Sequence, residues 1–400
     1  MQSLENVRIL DLTHVPPGQF CSMMLSDMGA EVVRVEQPAK AGASGGDATM
    51  AKFEDLMGSG YAAFNRNKRS ITLNLRDEDG RAVLLKIAER MDVLVEGFRP
   101  GVAERLGIDY KTLSQLNPRL IYCSMSGFGQ DGPYRDMPGH DINYVAIGGA
   151  LRTFGDPPPV IPNFVADYAG ATLYAVIGIL LALMAREKTG RGQHVDISYT
   201  DGVVSLMTQF AASYLAGGDP DTVRAQTQMM FSNAGYGVYK TGDGKYLSLG
   251  CVEPWFWVNI CQALGKEEFI QEFAKWEKHG EIRDRFAEVL LTKSRDEWFD
   301  LFKDKNIPVG KVYEVEEIFT DPQVLHRQML VEIEDPKGGK QKQVGIPIKL
   351  SDTPGRVRNV APAPGQNTEE VLLELGYTSG DIKGLSDKGA ISLPAVDTKS

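Results

Sequence analysis

The chain has 400 residues, of which 42% are hydrophobic and 24% charged, and a formal net charge of −10. That length calls for two domains, or one large domain with a subdomain, in an ordinary globular composition. The acidic balance argues against a nucleic-acid binder, which would show a clustered basic excess, yet it leaves room for a polyanionic small ligand held by a few local cations.

Val7–Leu12 reads as a strand rather than the apolar run of a leader, so no secretory segment is expected. Arg8–Leu12 is β-rich, Pro16-Pro17-Gly18 reads as a turn, and Phe20–Met28 has helical spacing of apolar positions closed by Gly29. Glu31–Glu36 is a second strand, which completes a βαβ unit with parallel pairing and a right-handed crossover. A helix follows near Glu78–Met91, then strands at Asp92–Val95 and Leu120–Ser124, an uncharged run Tyr168–Ala185, and a strand at His194–Ser198. The alternation defines the fold class as α/β: an open, mostly parallel, Rossmann-like sheet.

Tyr168–Ala185 is near the lower length limit for a membrane span and is interrupted by Gly170, Thr172, Tyr174 and Gly178. It reads as a buried core helix, so no membrane association is expected. The first loop, His14–Phe20, has one glycine where the dinucleotide fingerprint needs three, which argues against NAD.

Beyond residue 200 the texture changes. A helix over Met207–Ala216 is broken by Gly217–Asp221, a hairpin spans 236–250, and charged helical segments run to about 304. A second hairpin is expected around Pro336–Gly339 and a helix over Thr368–Leu375. The organisation expected is a large α/β domain over 1–200, completed by 330–400 returning from the C-terminus, a linker over 200–225, and a small α/β domain over 225–325.

Cys21, Cys123, Cys251 and Cys261 are scattered without CxxC spacing, and the five histidines form no HExxH or HxH group. Neither a disulfide framework nor a metal site is expected, and a reducing, cytoplasmic setting fits. His140 and Asp167 are the leading candidates for chemistry. His140 follows the glycine-rich loop Gly127–Pro133, and loops at strand ends are where α/β folds place ligands. Asp167 opens the apolar run. As a helix N-cap it would titrate low, while apolar surroundings would push it up, and both readings stand at this point. Glu253, before Pro254, reads alone as a capping acid. Arg66, Lys68 and Arg69, with Arg99 and Arg105 further on, read either as a solvated charge run or as anchors for phosphates.

Taken together these segments resemble the family III CoA-transferase superfamily (CaiB/BaiF type), which also contains the α-methylacyl-CoA racemases. The resemblance is carried by Arg8–Leu12 with its proline-glycine loop, Gly29–Glu36, Asn65–Leu75, Asn117–Tyr122, Gly127–Pro133 and Glu187–Gln193. It implies an interlocked homodimer, or a heteromer with a related chain, acting on an acyl-CoA thioester. No permanently bound cofactor is implied, since coenzyme A arrives as part of the substrate. The α/β domain would bind it, and Val15, Pro16, Lys68, Arg69, Phe98 and Arg105 are the positions implied for that contact.

The two branches use the position of Asp167 differently. In the transferases the aspartate attacks the acyl-CoA and forms covalent aspartyl intermediates. In the racemases an aspartate and a histidine exchange the α-proton through a thioester enolate. Gly139–Tyr144 with its His140, Pro162-Asn163 ahead of Ala166-Asp167, and Glu253-Pro254 resemble the racemase branch, with Glu253 supporting the pair. The function expected is therefore of the 2-methylacyl-CoA racemase type. The alternative is a CoA-transferase, alone or as one subunit of a heteromer. Gln37 stands where the family usually has an arginine, and Gly97 where it often has an asparagine. Met207, Met229 and Met230 could adapt to a bulky apolar acyl group, or simply pack a core.

Overall fold

The computed structural model describes residues 1–38, 60, 62–154, 158–161, 163–220, 232–336 and 338–394. Met229, Met230 and the end of the expected linker lie outside the described residues. The chain divides into two compact units, one of Met1–Ala150, Val160–Leu206 and Gln328–Ser400, the other of Leu151–Pro159 and Met207–Arg327.

The first unit is built on six parallel strands: β1 (Arg8–Asp11), β2 (Glu31–Glu36), β3 (Lys68–Thr72), β4 (Val93–Glu96), β5 (Ile121–Ser126) and β6 (His194–Ser198). Their order across the sheet is β3-β2-β1-β4-β5-β6. The chain first builds outward from β1 to β3, then jumps back to lay β4 on the other side of β1. Such a reversal leaves a crevice beyond the carboxyl ends of the strands. Helices cover a parallel sheet on both faces, so its strands read as unbroken apolar runs; Ile9, Leu10, Val32, Val33, Ile71 and Val93–Val95 are buried.

The helices of this half are α1 (Pro16–Asp27), α2 (Glu78–Ala88), α3 (Val102–Leu106) and α4 (Tyr110–Leu116). The turn expected at Pro16-Pro17-Gly18 is instead the first turn of α1. Proline at the first helical position has no N–H to leave unpaired, which suits it to that place. Gly18 is needed there because a Cβ would lie 2.4 Å from the Thr13 side chain. The start of α2 is set by Asp77, whose side chain accepts the N–H groups of Asp79 and Gly80.

The C-terminal residues return to this unit. Val371, Leu372, Leu375 and Ile382 join the core cluster of Leu10, Val33, Ile71 and Leu94. The return is pinned by polar bonds to β3 and to the residues just before it: the Arg66 guanidinium donates to the Val344 carbonyl at 2.5 Å, and Thr72 Oγ1 donates to the Ser392 carbonyl at 2.6 Å.

After β5 come α5 (Asp141–Ile147), a stretch of wide π-helical turns over Phe164–Leu173, its direct continuation α6 (Tyr174–Thr189), and α7 (Tyr199–Leu206). Phe164–Thr189 is long and apolar enough to cross a membrane by length and composition alone. One face of it is packed: Ala175, Ile179 and Ala182 are buried, and the buried Arg186 pairs with Asp92 at 3.0 Å. The second unit holds an antiparallel sheet of β7 (Tyr236–Lys240), β8 (Tyr246–Gly250) and β9 (Val309–Val312), with a core around Trp257, Phe286 and Phe302.

Candidate active site

Asp167 lies inside the π-helical stretch rather than at its mouth; Asn163, at φ 64°, occupies the cap position. Of the two readings left open for Asp167, the N-cap one does not hold. Two bonds fit the widened turns. The Tyr168 N–H reaches back to the Asn163 carbonyl at 3.1 Å, and the Thr172 hydroxyl reaches the Asp167 carbonyl at 3.1 Å. Single wide turns of this kind often occur at functional sites. The stretch is fixed from behind by contact with α7, where a Cβ on Gly202 would come within 1.9 Å of the Gly170 carbonyl oxygen.

The helix start is held by a residue from another element. Asp141 is buried, and its Oδ2 accepts the N–H of Ala166 at 2.9 Å and of Asp167 at 3.0 Å. Burial, followed by the charge of Asp141, pushes the Asp167 carboxyl up to about 7. Tyr144 is also close: burial and then the charge of Asp167 push its hydroxyl up to about 12, with Arg99 pulling the other way. The ring of Tyr144 packs where Gly127 and Gly139 have no side chain, since a Cβ at either would lie 2.3 Å or 2.6 Å from it. Its hydroxyl donates to the Gly139 carbonyl at 2.5 Å.

His140 occupies the N-cap position of α5 and is exposed. Its backbone N–H donates to Asn143 Oδ1 at 3.0 Å. The residue that follows it, Asp141, bonds the backbone of Asp167 directly, so the two candidate titrating groups are carried on adjoining segments. Sequence reasoning quoted Asp141 without giving it a task. The available signal was an acid at the first position of a helix, which usually answers only to that helix's own dipole.

The crevice beyond β1 and β4 holds a cavity of about 310 Å³. Leu12, His14, Val35 and Leu73 line it from the strand ends, with Phe98, Val102 and Leu106 from the β4 loop and α3. Val15 and Pro16 start α1 nearby: a Cβ on Gly97 would meet Val15 Cγ2 at 4.0 Å, and the rings of His14 and Phe98 lie 6.0 Å apart. Arg105 ends α3 with its guanidinium beside Gly101. Gln37, which stands where the family usually has an arginine, also lines the cavity, as do Glu36 and Arg76, to which the sequence reading gave no binding role. Their position just past the carboxyl ends of β2 and β3 was the signal that could have found Glu36 and Arg76.

Two expected phosphate contacts are placed elsewhere. The Lys68 ammonium is fully buried and donates to Asp11 at 3.1 Å, to the Gln19 carbonyl at 3.0 Å and to Asn65 at 3.2 Å. An ammonium has three hydrogens, so none remains for a ligand. Arg69 pairs with Glu31, Glu370 and Glu374, and these carboxylates occupy its fork. Glu253 stands on the second unit, half-buried, at the N-cap of the helix Pro254–Ala263, with no side-chain capping bond. Among the described residues no group of three or more His, Cys, Asp or Glu could hold a metal ion.

The first unit thus combines an open parallel sheet that has a crevice at its reversal point with a half-buried carboxyl that burial and Asp141 push up to about 7. The sequence pattern of CoA-transferase family III matches residues 4–368, and the chain belongs to that family. It is 34% identical to succinyl-CoA–D-citramalate CoA-transferase of Chloroflexus aurantiacus, over 97% of this chain and 98% of that protein. It is 35% identical to alpha-methylacyl-CoA racemase of Mus musculus, over 95% of each. Among solved structures, a CAIB/BAIF family protein from Brucella suis superposes with a TM-score of 0.77 at 28% identity, covering 94% of this chain and 99% of that one.

Proposed function

We propose that this protein exchanges the α-proton of a 2-methylacyl-CoA through an enolate, as a racemase or epimerase. What supports the reading is that Asp141, next in sequence to His140, holds the backbone of the half-buried Asp167, whose carboxyl burial and the Asp141 charge push up to about 7. A group that must both take and return a proton works best with a pKa near the working pH. In one direction the Asp167 carboxylate removes the α-proton and becomes the acid. The imidazolium of His140 then gives its proton to the opposite face of the enolate carbon, and ends neutral. The reverse direction exchanges the roles, so no net proton is gained or lost. Glu253 is assigned a supporting role.

The CoA moiety is assigned to the crevice. Val15 and Pro16 lie at a helix N-terminus, which favours phosphate oxygens; Phe98 supplies an apolar wall, and Arg105 with Arg76 the cations. Lys68 and Arg69 support the sheet instead. No permanently bound cofactor is needed. The working form is proposed to be an interlocked dimer, with a second copy or a related chain. What supports this is the line Leu173, Ile177, Leu180, Leu181 and Met184, exposed at helical spacing along one face. A cytoplasmic setting is retained.

The competing reading is a CoA-transferase in which Asp167 is the nucleophile, favoured by the likeness to a named CoA-transferase at 34% identity. Incubation with a 2-methylacyl-CoA in D₂O separates the two. Deuterium at the α-carbon without an acceptor acid is the expected result. If CoA passes to a carboxylic acid and no label enters, the racemase reading fails.

A further inference from the structure

Neither the acid–base site nor the crevice accounts for one row of polar side chains that runs across the sheet from the buried Glu96 and Ser124 to the exposed β6. Glu96 on β4, Ser124 on β5 and Asp196 on β6 sit side by side in the register of the sheet, and Tyr122 and His194 form part of the row before them. Glu96 is 3% exposed at the end of β4. Its Oε2 accepts the N–H of Phe98 at 2.7 Å, and Ser124 is its partner in register on the neighbouring strand. Ser124 Oγ lies 3.0 Å from His194 Nε2. The imidazole is stacked on Tyr110 at 5.4 Å and is open to solvent. Ser124 therefore stands between the surface imidazole and a buried acid that anchors the loop carrying Phe98, a wall of the crevice.

We propose that Glu96 is a positioning residue for the Phe98 loop, and that its proton reaches solvent through Ser124 and His194, so that proton uptake weakens the hold on CoA. The proposal rests on the reading that the crevice binds CoA.

The proton count closes. With Glu96 ionised, Ser124 donates to it and accepts from His194 Nε2–H. A solvent proton entering at Nδ1 releases the Nε2 proton to Ser124, which passes its own to Glu96. The imidazole is left neutral, in its other tautomer, and Glu96 is uncharged. Burial pushes the Glu96 carboxyl up to about 7, against the pull of Ser124 and the Phe98 N–H, so this exchange falls at neutral pH. Asp196 raises it further. Tyr122, Cys123 and Tyr199 also face it, but burial drives all three upward and they stay neutral there.

Calorimetric titration of the full-length protein with free CoA across neutral pH tests the proposal. The wild type is compared with Glu96→Gln and Ser124→Ala. Because charge-assisted hydrogen bonds are about twice as strong as neutral ones, wild-type affinity should fall by about fivefold on acidification, relative to Glu96→Gln. Ser124→Ala should move the midpoint to higher pH, having lost a donor that favours the carboxylate. Parallel curves for wild type and Glu96→Gln, or a midpoint that stays or moves down in Ser124→Ala, would overturn it. Hydrogen exchange at the Phe98 amide of the free wild-type protein supplies a reading without variants. Corrected for intrinsic rates, protection should drop through neutral pH, and constant protection would also overturn the proposal. Failure of the wild type to bind CoA at any pH would instead sink the reading of the crevice.

Discussion

Replacing Asp141 by asparagine removes a negative charge next to Asp167 and keeps an oxygen that can accept the N–H groups of Ala166 and Asp167. The helix start is thus preserved while the electrostatics change. Two causes lift Asp167 from 3.8 to about 7, with burial the larger and Asp141 the smaller. The share removable by the substitution is therefore under half of that rise, less than about 1.6 pH units. A carboxylate relieved of a like charge ionises more readily, so the sign is downward. The assay is the pH profile of deuterium entry at the α-carbon from D₂O. The acid limb, which on the proposed mechanism reports protonation of Asp167, should move to lower pH in Asp141→Asn by an amount within that bound. A limb that stays in place or moves upward would refute the account of how Asp167 is tuned. A shift larger than the bound would mean that Asp141, not burial, is the main cause.

Four further outcomes are expected. His140→Phe should cut proton exchange by about 10²–10⁴ while CoA binding by calorimetry is unchanged, and an unaltered exchange rate would remove His140 from the chemistry. Asp167→Asn should melt higher than the wild type at alkaline pH. A carboxyl whose folded pKa is raised gives stability that is complete below its unfolded value and lost as pH rises through about 7. The gap in Tm should therefore open between about pH 4 and 7 and then level off; a gap independent of pH would contradict the shift. Lys68→Met leaves Asp11 buried and unpaired, at a cost of about 3–5 kcal/mol in urea unfolding, where a loss below about 0.5 kcal/mol would mark Lys68 as an ordinary surface-like cation. Gly202→Ala puts a methyl group within 1.9 Å of the Gly170 carbonyl oxygen, so the helix bearing Asp167 must shift. Proton exchange should collapse while far-UV circular dichroism is retained.

The parallel sheet was readable because its strands announce themselves: Ile9-Leu10, Val32-Val33 and Val93-Leu94-Val95 are short apolar runs bounded by turn residues or helices, the pattern of strands buried on both faces. The uncharged run after Asp167 was likewise visible as a helix. Its wide first turns were not, because the arrangement around them depends on a glycine contact with α7 and on carboxylate capping from α5, neither of which leaves a local period. Pro16-Pro17-Gly18 misled for a different reason, since the same residues that make turns also open helices. The basic cluster failed as a set of phosphate contacts through long-range pairing: Lys68 meets Asp11 57 positions away, and Arg69 meets Glu370 across 301. Charge alone says that a partner must exist; it does not say whether the partner is a ligand.

The position of Asp167 also bears on why one fold can host two chemistries. An aspartate near a helix start is normally stabilised as the anion by the dipole, and an anionic carboxylate suits attack on a thioester carbonyl. Here Asp141 already accepts two of the N–H groups at that helix start, and it adds a like charge. Asp167 is left with burial on one side and repulsion on the other, and both favour the protonated form. A carboxyl so placed gives up some readiness as a nucleophile and gains readiness to hold a proton for return. On this argument the choice between group transfer and proton exchange rests less on the aspartate itself than on who satisfies the backbone around it. On the proposed mechanism, substitutions at Asp141 that restore the anion should therefore weaken exchange at neutral pH even though neither Asp167 nor His140 has been touched.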